Sequence, residues 1–513
     1  MSKPIVFLTG ATGGMGMESL KAMSKDLDLY NLRILARKSE KNIKLLSEYE
    51  NHKNLEICWG DLNDKDVLRK YLKNVSLILH VAAFVSPQAD YYPKKAMQAN
   101  YGGTRNMIET LYELGQDKTT KFVYIGTVAE TGDRMPPIHW GRVGDPIKPS
   151  MFDYYAVSKI AAERYVIESG LKYWVSLRQT GIIGSAMSKI RDAIMFHNCF
   201  DNVLEYVSDR DSGRLMKNLA EYDVNGTLDN SFWNHIYNIG GGESCRVSTY
   251  EMFQKLYGAI GITNLDYILS PKEQATRNFH GQYYEDSDKL ENYLHFRSDS
   301  MQYYYDAYLK ELGATASLSR FICRLPGGQK LMGRIMKGMF SKLAKTEHGT
   351  VHFIEDNIED HIDAYWGSKK AWNELPDKMS DMVHFKDWNN RIHLDHGYDE
   401  NKPESELNLE DMKKAAEFRG GTCDSEIMKT GDWSTPLEFT CQFGHKFKGS
   451  PRLILEGGHW CDECERKSWN YGNRAKKDKF FAQVWNPLHD EDELREYPKE
   501  VTELDVHLSK RGE

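Results

Sequence analysis

The sequence predicts an α/β protein built on a doubly wound parallel sheet, followed by a C-terminal helical extension and a small zinc ribbon. Over the first 300 or so residues, short apolar runs alternate with helix-like segments. This pattern is typical of parallel strands that are covered by helices on both faces. The first run, Ile5–Leu8, leads into closely spaced glycines, and near the C-terminus three cysteines and a histidine have the spacing of a metal site.

The composition limits the classes of function. The chain has 513 residues, with 67 basic and 75 acidic side chains and a net charge of −8, which argues against nucleic acid as the principal partner. Apolar residues make up 40%, enough for a sizeable core. The eight cysteines are too few for a disulfide scaffold in so long a chain. No run approaches the ~18 apolar residues of a membrane span, and Met1–Pro4 leads into a strand without a signal peptide. We expect a cytoplasmic protein.

The chain divides by pattern into four segments. Residues 1–315 carry the α/β alternation, and the substrate-binding part is expected at about 183–310. Residues 316–405 are predicted to form a helical extension that contains a basic amphipathic segment. A zinc-ribbon-like module is predicted at 406–467, and 468–513 is predicted to be a charged tail.

A glycine motif marks the first strand-to-helix turn. Within Thr9–Gly16, Gly10 permits a tight turn, Gly13 lets backbone N–H groups approach a pyrophosphate, and Gly16 allows close helix–strand packing. The helix that follows would face the anion with its free N–H donors. The sequence therefore predicts a Rossmann-type dinucleotide site lined by Thr9, Gly10, Thr12, Gly13, Gly14, Met15 and Gly16.

The ends of the second and third strands predict which dinucleotide binds. Arg37 and Lys38 follow the second strand, where an NAD site usually carries an acid that holds the ribose 2′-hydroxyl. Because basic side chains accommodate a 2′-phosphate, we predict NADP(H), with NAD(H) as the alternative. Asp61 ends the third strand, where its carboxylate can accept from the adenine amine; the alternative is a helix N-cap.

A tyrosine and a lysine predict acid–base chemistry. Tyr155 and Lys159 are four residues apart and share one helix face. A phenol with the ordinary pKa of about 10 transfers protons poorly at neutral pH, whereas a neighbouring cation favours its phenolate. Lys159 can also hydrogen-bond the nicotinamide ribose. Thr127, just after the strand Val123–Ile125, can hydrogen-bond a substrate oxygen.

Together these motifs resemble the extended short-chain dehydrogenase/reductase family, across roughly residues 3 to 310. The matching elements are Thr9-Gly10-x-x-Gly13-x-x-Gly16, Asp61-Leu62, His80-Val81-Ala82-Ala83, Asn100 with Gly103-Thr104, Thr127, Tyr155-x-x-x-Lys159, Leu177–Gly181 and Tyr237–Gly242.

The resemblance implies a role for each matching residue. Tyr155 would be the general acid/base, Lys159 its activator, Thr127 the substrate-orienting hydroxyl and Asn100 a helper for the proton relay. Leu62, Ala82 and Ala83 would lie beside the cofactor. One position departs from the family, because Gly126 stands where a Ser or Thr is usual, so Thr127 must act alone.

The same resemblance implies an oxidoreductase. Arg37 argues against the epimerases, which commonly keep NAD bound, and the segments Gly141–Ile147 and Leu177–Ile182 are similar to the 3β-hydroxysteroid dehydrogenase branch. We predict NADP-dependent hydride transfer between nicotinamide and a carbonyl or secondary alcohol, with a hydroxysteroid or another cyclic hydrophobic ketone as candidate substrate. The alternatives are a nucleotide-sugar epimerase or dehydratase with tightly held NAD, and a non-catalytic dinucleotide sensor. A homodimer is the expected assembly.

The C-terminal cysteines predict a structural metal site. Cys441 and His445 are separated by fifteen residues from the Cys461-x-x-Cys464 knuckle, which is the spacing of a closed tetrahedral zinc site. Cys423 and His459 are the alternative ligands. The stretch at about 410–465 resembles small bacterial zinc-ribbon modules, with Phe447 in place of a usual tryptophan. Zinc would fold a module too small for its own core.

The segment 329–345 predicts a basic amphipathic helix. Its apolar residues share one helical face, while lysines and Arg334 lie elsewhere. One interpretation is a helix that packs this face on the enzyme domain. The other is an interfacial helix that meets a membrane or a hydrophobic substrate entrance.

Overall fold

The structure is a computed structural model that describes residues 3–500 except 26, 185–186 and 188–191. The first two residues, and the part of the predicted tail at 501–513, lie outside the described residues. The described strands are β1 (Ile5–Thr9), β2 (Asn31–Ala36), β3 (Leu55–Trp59), β4 (Leu77–His80), β5 (Lys121–Thr127), β6 (Trp140–Gly141), β7 (Trp174–Gln179), β8 (Ile182–Ile183), β9 (Val203–Glu205), β10 (Val207–Ser208), β11 (His235–Ile239), β12 (Arg246–Ser248), β13 (Tyr283–Tyr284), β14 (Thr422–Cys423), β15 (Leu437–Thr440), β16 (Lys446–Gly449), β17 (Ser468–Trp469) and β18 (Tyr497–Pro498).

Helices cover both faces of the sheet and continue into the C-terminal half. The described α-helices are α1 (Gly14–Met23), α2 (Glu40–Leu46), α3 (Lys65–Tyr71), α4 (Gln88–Tyr91), α5 (Pro93–Ala96), α6 (Gly103–Glu113), α7 (Tyr154–Ile167), α8 (Asp209–Val224), α9 (Thr249–Ala259), α10 (Asp288–Leu294), α11 (Met301–Leu312), α12 (Ala314–Arg324), α13 (Gly328–Ala344), α14 (Thr350–Glu355), α15 (Glu359–Trp366), α16 (Lys369–Glu374), α17 (Leu409–Phe418), α18 (Asp462–Lys467), α19 (Tyr471–Ala475) and α20 (Lys479–Trp485).

Seven strands form one parallel sheet in the order β3-β2-β1-β4-β5-β7-β11. The chain builds outward from β1 to β3, crosses back to β4 and then builds outward in the other direction. The order therefore reverses between β1 and β4, which is where a Rossmann-type sheet opens its binding crevice. All six residues of β7 are buried, including the polar Ser176, Arg178 and Gln179, as expected for a strand that is covered on both faces. The predicted doubly wound sheet is confirmed.

Helix α7 is buried almost all round: twelve of its fourteen residues are buried. One side packs on the sheet, and the other side contacts C-terminal segments. Arg164 donates to the Trp460 carbonyl (2.9 Å), and Val157 shares a buried cluster with Trp469. The C-terminal half of the chain thus covers the helix that carries Tyr155 and Lys159.

The predicted helical extension contains α12 to α16, but it is not helical throughout. After Glu374 the described chain has no α-helix until α17, only short 3₁₀ turns at Met379–Asp381 and Glu404–Glu406. This stretch runs back over the first domain, where Trp140 Nε1 donates to the Trp388 carbonyl at 2.9 Å. Pro376, Gly397, Pro403 and many short polar side chains break the helical pattern in this part of the chain.

The module at 406–467 contains α17 and the antiparallel sheet β14–β15–β16. Phe439, Phe447 and Trp460 form its core, with ring centroids 4.9–5.5 Å apart. These buried side chains belong to the same hydrophobic cluster as Phe7 and Val166 of the first domain. The module is therefore packed on the first domain rather than tethered to it.

Residues 468–500 are folded, so the prediction of a charged tail is wrong for this part. Trp469, Phe481 and Val484 are fully buried in a cluster with Tyr154. These buried apolar residues alternate with many charged residues, so the sequence of this segment shows no clear apolar pattern. No described helix is long and apolar enough to cross a membrane.

Candidate active site and metal centre

The glycine loop after β1 is shaped for an anion. Gly10 has φ +76°, and a Cβ there would lie 2.7 Å from the Ala82 nitrogen; a Cβ on Gly16 would lie 2.0 Å from the Gly10 oxygen. A Cβ on Gly13 would meet only the Gly10 oxygen, at 3.4 Å, so the space beside Gly13 is left for a ligand. Helix α1 begins with no side-chain cap and no acidic residue in its first turn. Its N–H donors are therefore available to a phosphate.

A buried chain of hydrogen bonds holds this loop against β4. Thr9 Oγ1 lies 2.9 Å from His80 Nδ1 and accepts from the Ala82 N–H at 3.0 Å. His80 Nε2 lies 3.0 Å from Thr104 Oγ1, which donates to the Asn100 carbonyl at 2.6 Å. Burial lowers the pKa of His80 to about 3, so the ring is neutral at physiological pH. These hydrogen bonds fix the distance between the loop after β1 and the loop after β4, which flank the crevice.

A cleft of about 1930 Å³ runs along the carboxyl edge of the sheet. Most of the predicted cofactor and catalytic residues line it, including the glycine loop, Arg37, Asp61, Tyr155 and Lys159. The remaining members that line it are Leu62, Ala82, Ala83 and Thr127. Lys38 and Asn100 do not line the cleft.

The loop after β2 supplies a polar pocket beside Arg37. Arg37 is exposed and lines the cleft together with Ser39, Lys41 and Asn42. Ser39 caps α2 by accepting from the Asn42 N–H at 3.2 Å, so a second helix N-terminus begins here. Sequence reasoning missed Ser39 and Lys41, although both directly follow the basic pair.

Asp61 lies in the cleft and is not a helix cap. Its Oδ1 accepts from the backbone and side-chain nitrogens of Asn63, both at 2.9 Å. The cap of α3 is Asp64, which accepts from the Asp66 and Val67 N–H groups. The alternative interpretation of Asp61 as an N-cap is therefore wrong. Its other carboxylate oxygen, Oδ2, takes no part in the two hydrogen bonds to Asn63.

Thr127, Tyr155 and Lys159 come together at the end of β5 and the start of α7. Burial raises the pKa of Tyr155 above its usual 10, and the Thr127 side chain lowers it. Burial lowers the pKa of Lys159 to about 8. The Lys159 ammonium lies 4.2 Å from the centroid of the Tyr124 ring, a cation–π contact. The phenol is therefore protonated at neutral pH.

Three side chains that belong to no motif hold Tyr155 in place. Asp90 Oδ1 accepts from the Tyr155 N–H at 3.0 Å. Asp153 caps α7 by accepting from the Ala156 N–H at 2.7 Å, and its other oxygen lies 3.2 Å from His280 Nδ1. His280 also lines the cleft. Asp90 and His280 are far apart in sequence, so only the fold brings them to α7.

Asn100 joins the loop after β4 to α7. It lies in the π-helical turn Met97–Gly102, a local irregularity that often occurs at functional sites. Its amide donates to the Phe84 carbonyl (2.9 Å) and to Ser158 Oγ (2.8 Å), and it accepts from the Phe84 N–H at 2.7 Å. Ser158 in turn donates to the Tyr155 carbonyl at 2.7 Å. These bonds position Tyr155, and a role for Asn100 in a proton relay stays a prediction.

A buried charge network lies behind Thr127. Glu130 Oε1 accepts from the Thr127 N–H at 3.0 Å, and its other oxygen lies 3.0 Å from Arg178 Nε. Arg178 also binds Glu163 of α7 at 2.7 Å. Arg178 and His459 hold the pKa of Glu163 well below its usual range, whereas burial and the charge of Glu163 raise the pKa of Glu130 well above it. Glu163 is therefore the ionised partner of Arg178.

One part of the same cleft, which we call the apolar chamber, is lined by residues between 192 and 343. Helices α9, α11, α12 and α13 line it with side chains such as Phe253, Tyr304, Ala316, Met336 and Phe340. The predicted substrate-binding part at 183–310 therefore ends too early, because the lining helices α12 and α13 follow residue 310. Among the described lining residues from 192 to 343, none is Lys or Arg.

The four predicted metal ligands come together in the C-terminal module. The ligand atoms of Cys441, His445, Cys461 and Cys464 all lie within 4.8 Å of one another. The two sulfurs of Cys441 and Cys464 are 3.8 Å apart, and His445 Nδ1 lies 3.2 Å from Cys464 Sγ and 3.6 Å from Cys461 Sγ. Tetrahedral zinc with ordinary bond lengths requires about 3.8 Å between sulfurs and about 3.6 Å between sulfur and nitrogen.

The surroundings of this cluster also suit a metal. His445 Nε2 lies 3.4 Å from Glu463 Oε1, the kind of outer carboxylate that orients a ligating imidazole. Cys423 and His459, the alternative ligands, are not part of the cluster in the described chain. His459 instead binds Glu163 at 3.1 Å.

Comparison with known proteins gives one family profile and several relatives that match part of this chain. Residues 6–203 match the sequence profile of the NAD dependent epimerase/dehydratase family. An uncharacterized membrane protein of Methanocaldococcus jannaschii is 32% identical over 126 residues, 24% of this chain and 35% of that protein. A 3 beta-hydroxysteroid dehydrogenase/Delta 5-->4-isomerase of Mycobacterium tuberculosis is 28% identical over 164 residues, 30% of this chain and 41% of that protein.

Among solved structures, the UDP-N-acetylglucosamine 4-epimerase from Methanobrevibacter ruminantium aligns with 61% of this chain and 100% of its own, at 17% identity and a TM-score of 0.45. The chain spans 35–41% of the length of the two curated relatives. The profile match covers the strand–glycine–helix turn, the six sheet strands that precede β11 and the Tyr155–Lys159 pair. Residues 6–203 of this chain are therefore similar to the NAD dependent epimerase/dehydratase family.

Proposed function

We propose that the protein is an NADP-dependent oxidoreductase that transfers a hydride between nicotinamide and a carbonyl or secondary alcohol of an apolar, cyclic substrate. The observation that carries this proposal is the apolar chamber, which belongs to the same cleft as Thr127, Tyr155 and the glycine loop. A cofactor and an apolar substrate can therefore meet beside one proton donor.

Tyr155, Thr127 and Lys159 have different roles in the proposed hydride transfer. A bound nicotinamide supplies the hydride in reduction or takes it up in oxidation. Tyr155 donates a proton to the carbonyl oxygen in reduction, and the Thr127 hydroxyl hydrogen-bonds the same oxygen. Because burial keeps the phenol protonated at neutral pH, Tyr155 is in the form that proton donation in reduction requires. Lys159 contributes its positive charge and a hydrogen bond to the nicotinamide ribose.

The loop after β2 supports NADP as the cofactor. Arg37 and Lys41 line the cleft, and neither has an acidic partner among the described ion pairs. Two cations beside the Ser39-capped start of α2 can bind the 2′-phosphate, which an acid at this position would repel.

The side chains that line the chamber favour an apolar substrate over a nucleotide sugar. A nucleoside diphosphate needs cations or a cluster of donors for its pyrophosphate, and the described chamber wall from 192 to 343 offers no Lys or Arg. One relative is named a hydroxysteroid dehydrogenase, a class that acts on rigid cyclic substrates with few polar groups. We therefore favour a hydroxysteroid or a comparable cyclic ketone.

We also assign a structural zinc ion to the C-terminal module. Three thiolates and one imidazole at tetrahedral spacing fill all four positions, so the ion has no open site for catalysis. Its role is to hold the loop after β15 to the start of α18. The homodimer and the cytoplasmic location stay predictions.

The test is turnover with a panel of substrates. Purified protein is given NADPH and either cyclic ketones of sterol size or UDP- and dTDP-sugars, and cofactor oxidation and products are followed. We expect net NADPH oxidation with a cyclic ketone and no conversion of the sugars. Conversion of a nucleotide sugar without net change in the cofactor would overturn the proposal in favour of an epimerase or dehydratase. Tight cofactor binding with no turnover of any substrate would favour the sensor.

A further inference from the structure

Exposed apolar side chains are concentrated on the hairpin of α12 and α13. Of thirteen large apolar side chains that are exposed in the described chain, six lie between residues 318 and 339, each 50–61% exposed. We call this set the hairpin face: Leu318, Phe321, Leu325, Leu331, Ile335 and Met339. The other seven are scattered, and single exposed apolar residues are ordinary, whereas a contiguous group indicates an interaction surface.

The inner sides of both helices rest on one segment of the enzyme domain. On α12, Ser319 Oγ donates to the Ile260 carbonyl at 2.8 Å. On α13, Gly333 packs so closely that a Cβ there would lie 2.4 Å from the Tyr267 Cβ. Because both helices lie against residues 260–267, the side chains of the hairpin face look away from the protein, except that Met339 also borders the cleft. The hairpin is therefore a wall of the chamber on one side and an outer surface on the other.

The hairpin is strongly basic in an acidic protein. Residues 314–345 contain seven Lys or Arg and no Asp or Glu, although the whole chain has a net charge of −8. Among the described ion pairs, only Lys345 of these seven has an acidic partner, Glu355. The other six are Arg320, Arg324, Lys330, Arg334, Lys337 and Lys342.

The basic charge and the exposed apolar side chains of the hairpin together indicate what kind of partner it binds. Two copies of the hairpin would bring two unneutralised basic surfaces together, which argues against a self-contact. A helix surface with exposed apolar side chains and only basic charged residues suits the boundary between the headgroups and acyl chains of an anionic bilayer. Each cation near such a surface strengthens binding, and the effect is screened by salt.

We propose that the α12–α13 hairpin docks the enzyme on anionic lipid bilayers and opens its chamber toward the membrane. Met339 is 55% exposed and also lines the cleft, so the chamber wall and the hairpin face meet at this side chain. An apolar substrate dissolved in the bilayer then reaches Tyr155 without crossing water. The delivery of substrate rests on the proposed function, whereas the docking does not.

The test is sedimentation of the full chain with vesicles of phosphatidylcholine, with and without phosphatidylglycerol. We expect the protein to bind the anionic vesicles and to be released by salt. Removing three cations in Arg324→Ser/Lys330→Ser/Arg334→Ser should weaken binding about 100-fold, since each contributes about 5-fold. Phe321→Glu/Ile335→Glu should abolish binding, because it places charges where the apolar chains must insert.

Matched controls separate docking from folding and from catalysis. Val383 and Ile427 are 91% and 84% exposed and lie outside the hairpin, so Val383→Glu/Ile427→Glu should bind vesicles like the wild type. NADPH binding should be unchanged in the hairpin variants, which shows that they fold. Vesicle binding without turnover of any ketone would support the docking and refute the proposed function.

Three results would overturn the proposal. The first is a wild-type chain that binds neither kind of vesicle. The second is vesicle binding that survives both hairpin variants. The third is a change of oligomeric state in Phe321→Glu/Ile335→Glu without any vesicle binding by the wild type, which would assign the hairpin face to a second copy of the chain.

Discussion

His459 Nε2 lies 3.1 Å from Glu163 Oε2, and this contact joins the C-terminal module to helix α7 of the enzyme domain. Both side chains are fully buried. Glu163 also binds Arg178, Arg178 binds Glu130, and Glu130 accepts from the Thr127 N–H. A continuous buried network therefore runs from the residue two positions before Cys461 to the proposed substrate-orienting threonine.

We expect His459→Ala to lower turnover more than cofactor binding. The change removes a donor from a buried carboxylate, which costs about 1–3 kcal/mol of unfolding free energy. It also frees Glu163 and Arg178 to shift, so kcat should fall while the Kd for NADPH stays within about 2-fold. His459→Gln, whose amide can still donate, should restore part of kcat.

His393→Ala is the matched control, because the His393 side chain is 61% exposed and its ion-pair partner in the described chain is Glu285. It should leave both kcat and stability unchanged. The zinc content of His459→Ala should equal that of the wild type. A destabilised His459→Ala enzyme with unchanged kcat would show that the network serves folding alone.

The pH profile of reduction should report the charge of Lys159. Burial lowers the pKa of Lys159 to about 8, whereas burial raises that of Tyr155 above its usual 10. If the cation is required, kcat/KM is level below pH 8 and falls about tenfold per pH unit above it. Lys159→Arg keeps its charge at all accessible pH values, so its alkaline fall should move to higher pH. Identical profiles for the two proteins would refute a role for the Lys159 charge.

Zinc removal should affect more than the module. Elemental analysis should find about one zinc per chain, and Cys461→Ser should lose it. Since Trp460 and His459 contact α7 directly, we expect loss of zinc to lower turnover as well as to unfold the module. Cys423→Ser is the control, because Cys423 is buried but lies outside the metal cluster. A module that stays folded without metal would contradict the zinc assignment.

Cofactor preference should depend on Arg37 more than on Lys38. Arg37→Asp places an acid beside the 2′-phosphate position, so it should weaken NADP binding by about 10-fold or more and spare NAD. Lys38→Asp, at an exposed position that does not line the cleft, should have a smaller effect. Titration of both cofactors measures the ratio. Equal affinity of the wild type for NADP and NAD would contradict the assignment.

The parts of the site that the sequence predicts are those set by local geometry. The glycine loop requires specific residues at Gly10 and Gly16, because any side chain there would collide with the backbone. The spacing of Tyr155 and Lys159 is a property of one helix, and the Cys461–Cys464 knuckle is a property of one turn. Such patterns are complete within a few residues and can be read without the fold.

The remaining parts depend on contacts between distant segments. Asp90 holds the Tyr155 N–H from 65 residues away, and His459 reaches Glu163 across 296 residues. Residues 468–500 carry so many charges that the buried Trp469 and Phe481 do not form a visible pattern. No local rule predicts these pairings, because each depends on how the C-terminal half packs against α7.

Tyr155→Phe in a single turnover with NADPH and a verified ketone tests the central claim most directly. The change removes the proton donor and keeps the ring, so NADPH should still bind while the rate of NADPH oxidation falls about 10²–10⁴-fold. Lys159→Ala should harm the rate at least as much, and Thr127→Ala less, because water can replace one hydroxyl contact. Tyr154→Phe is the matched control, since this neighbouring phenol is buried, does not line the cleft and accepts from the Glu500 N–H. A Tyr155→Phe enzyme that oxidises NADPH at nearly the wild-type rate would show that the phenol is not the acid, and the proposed mechanism would be wrong.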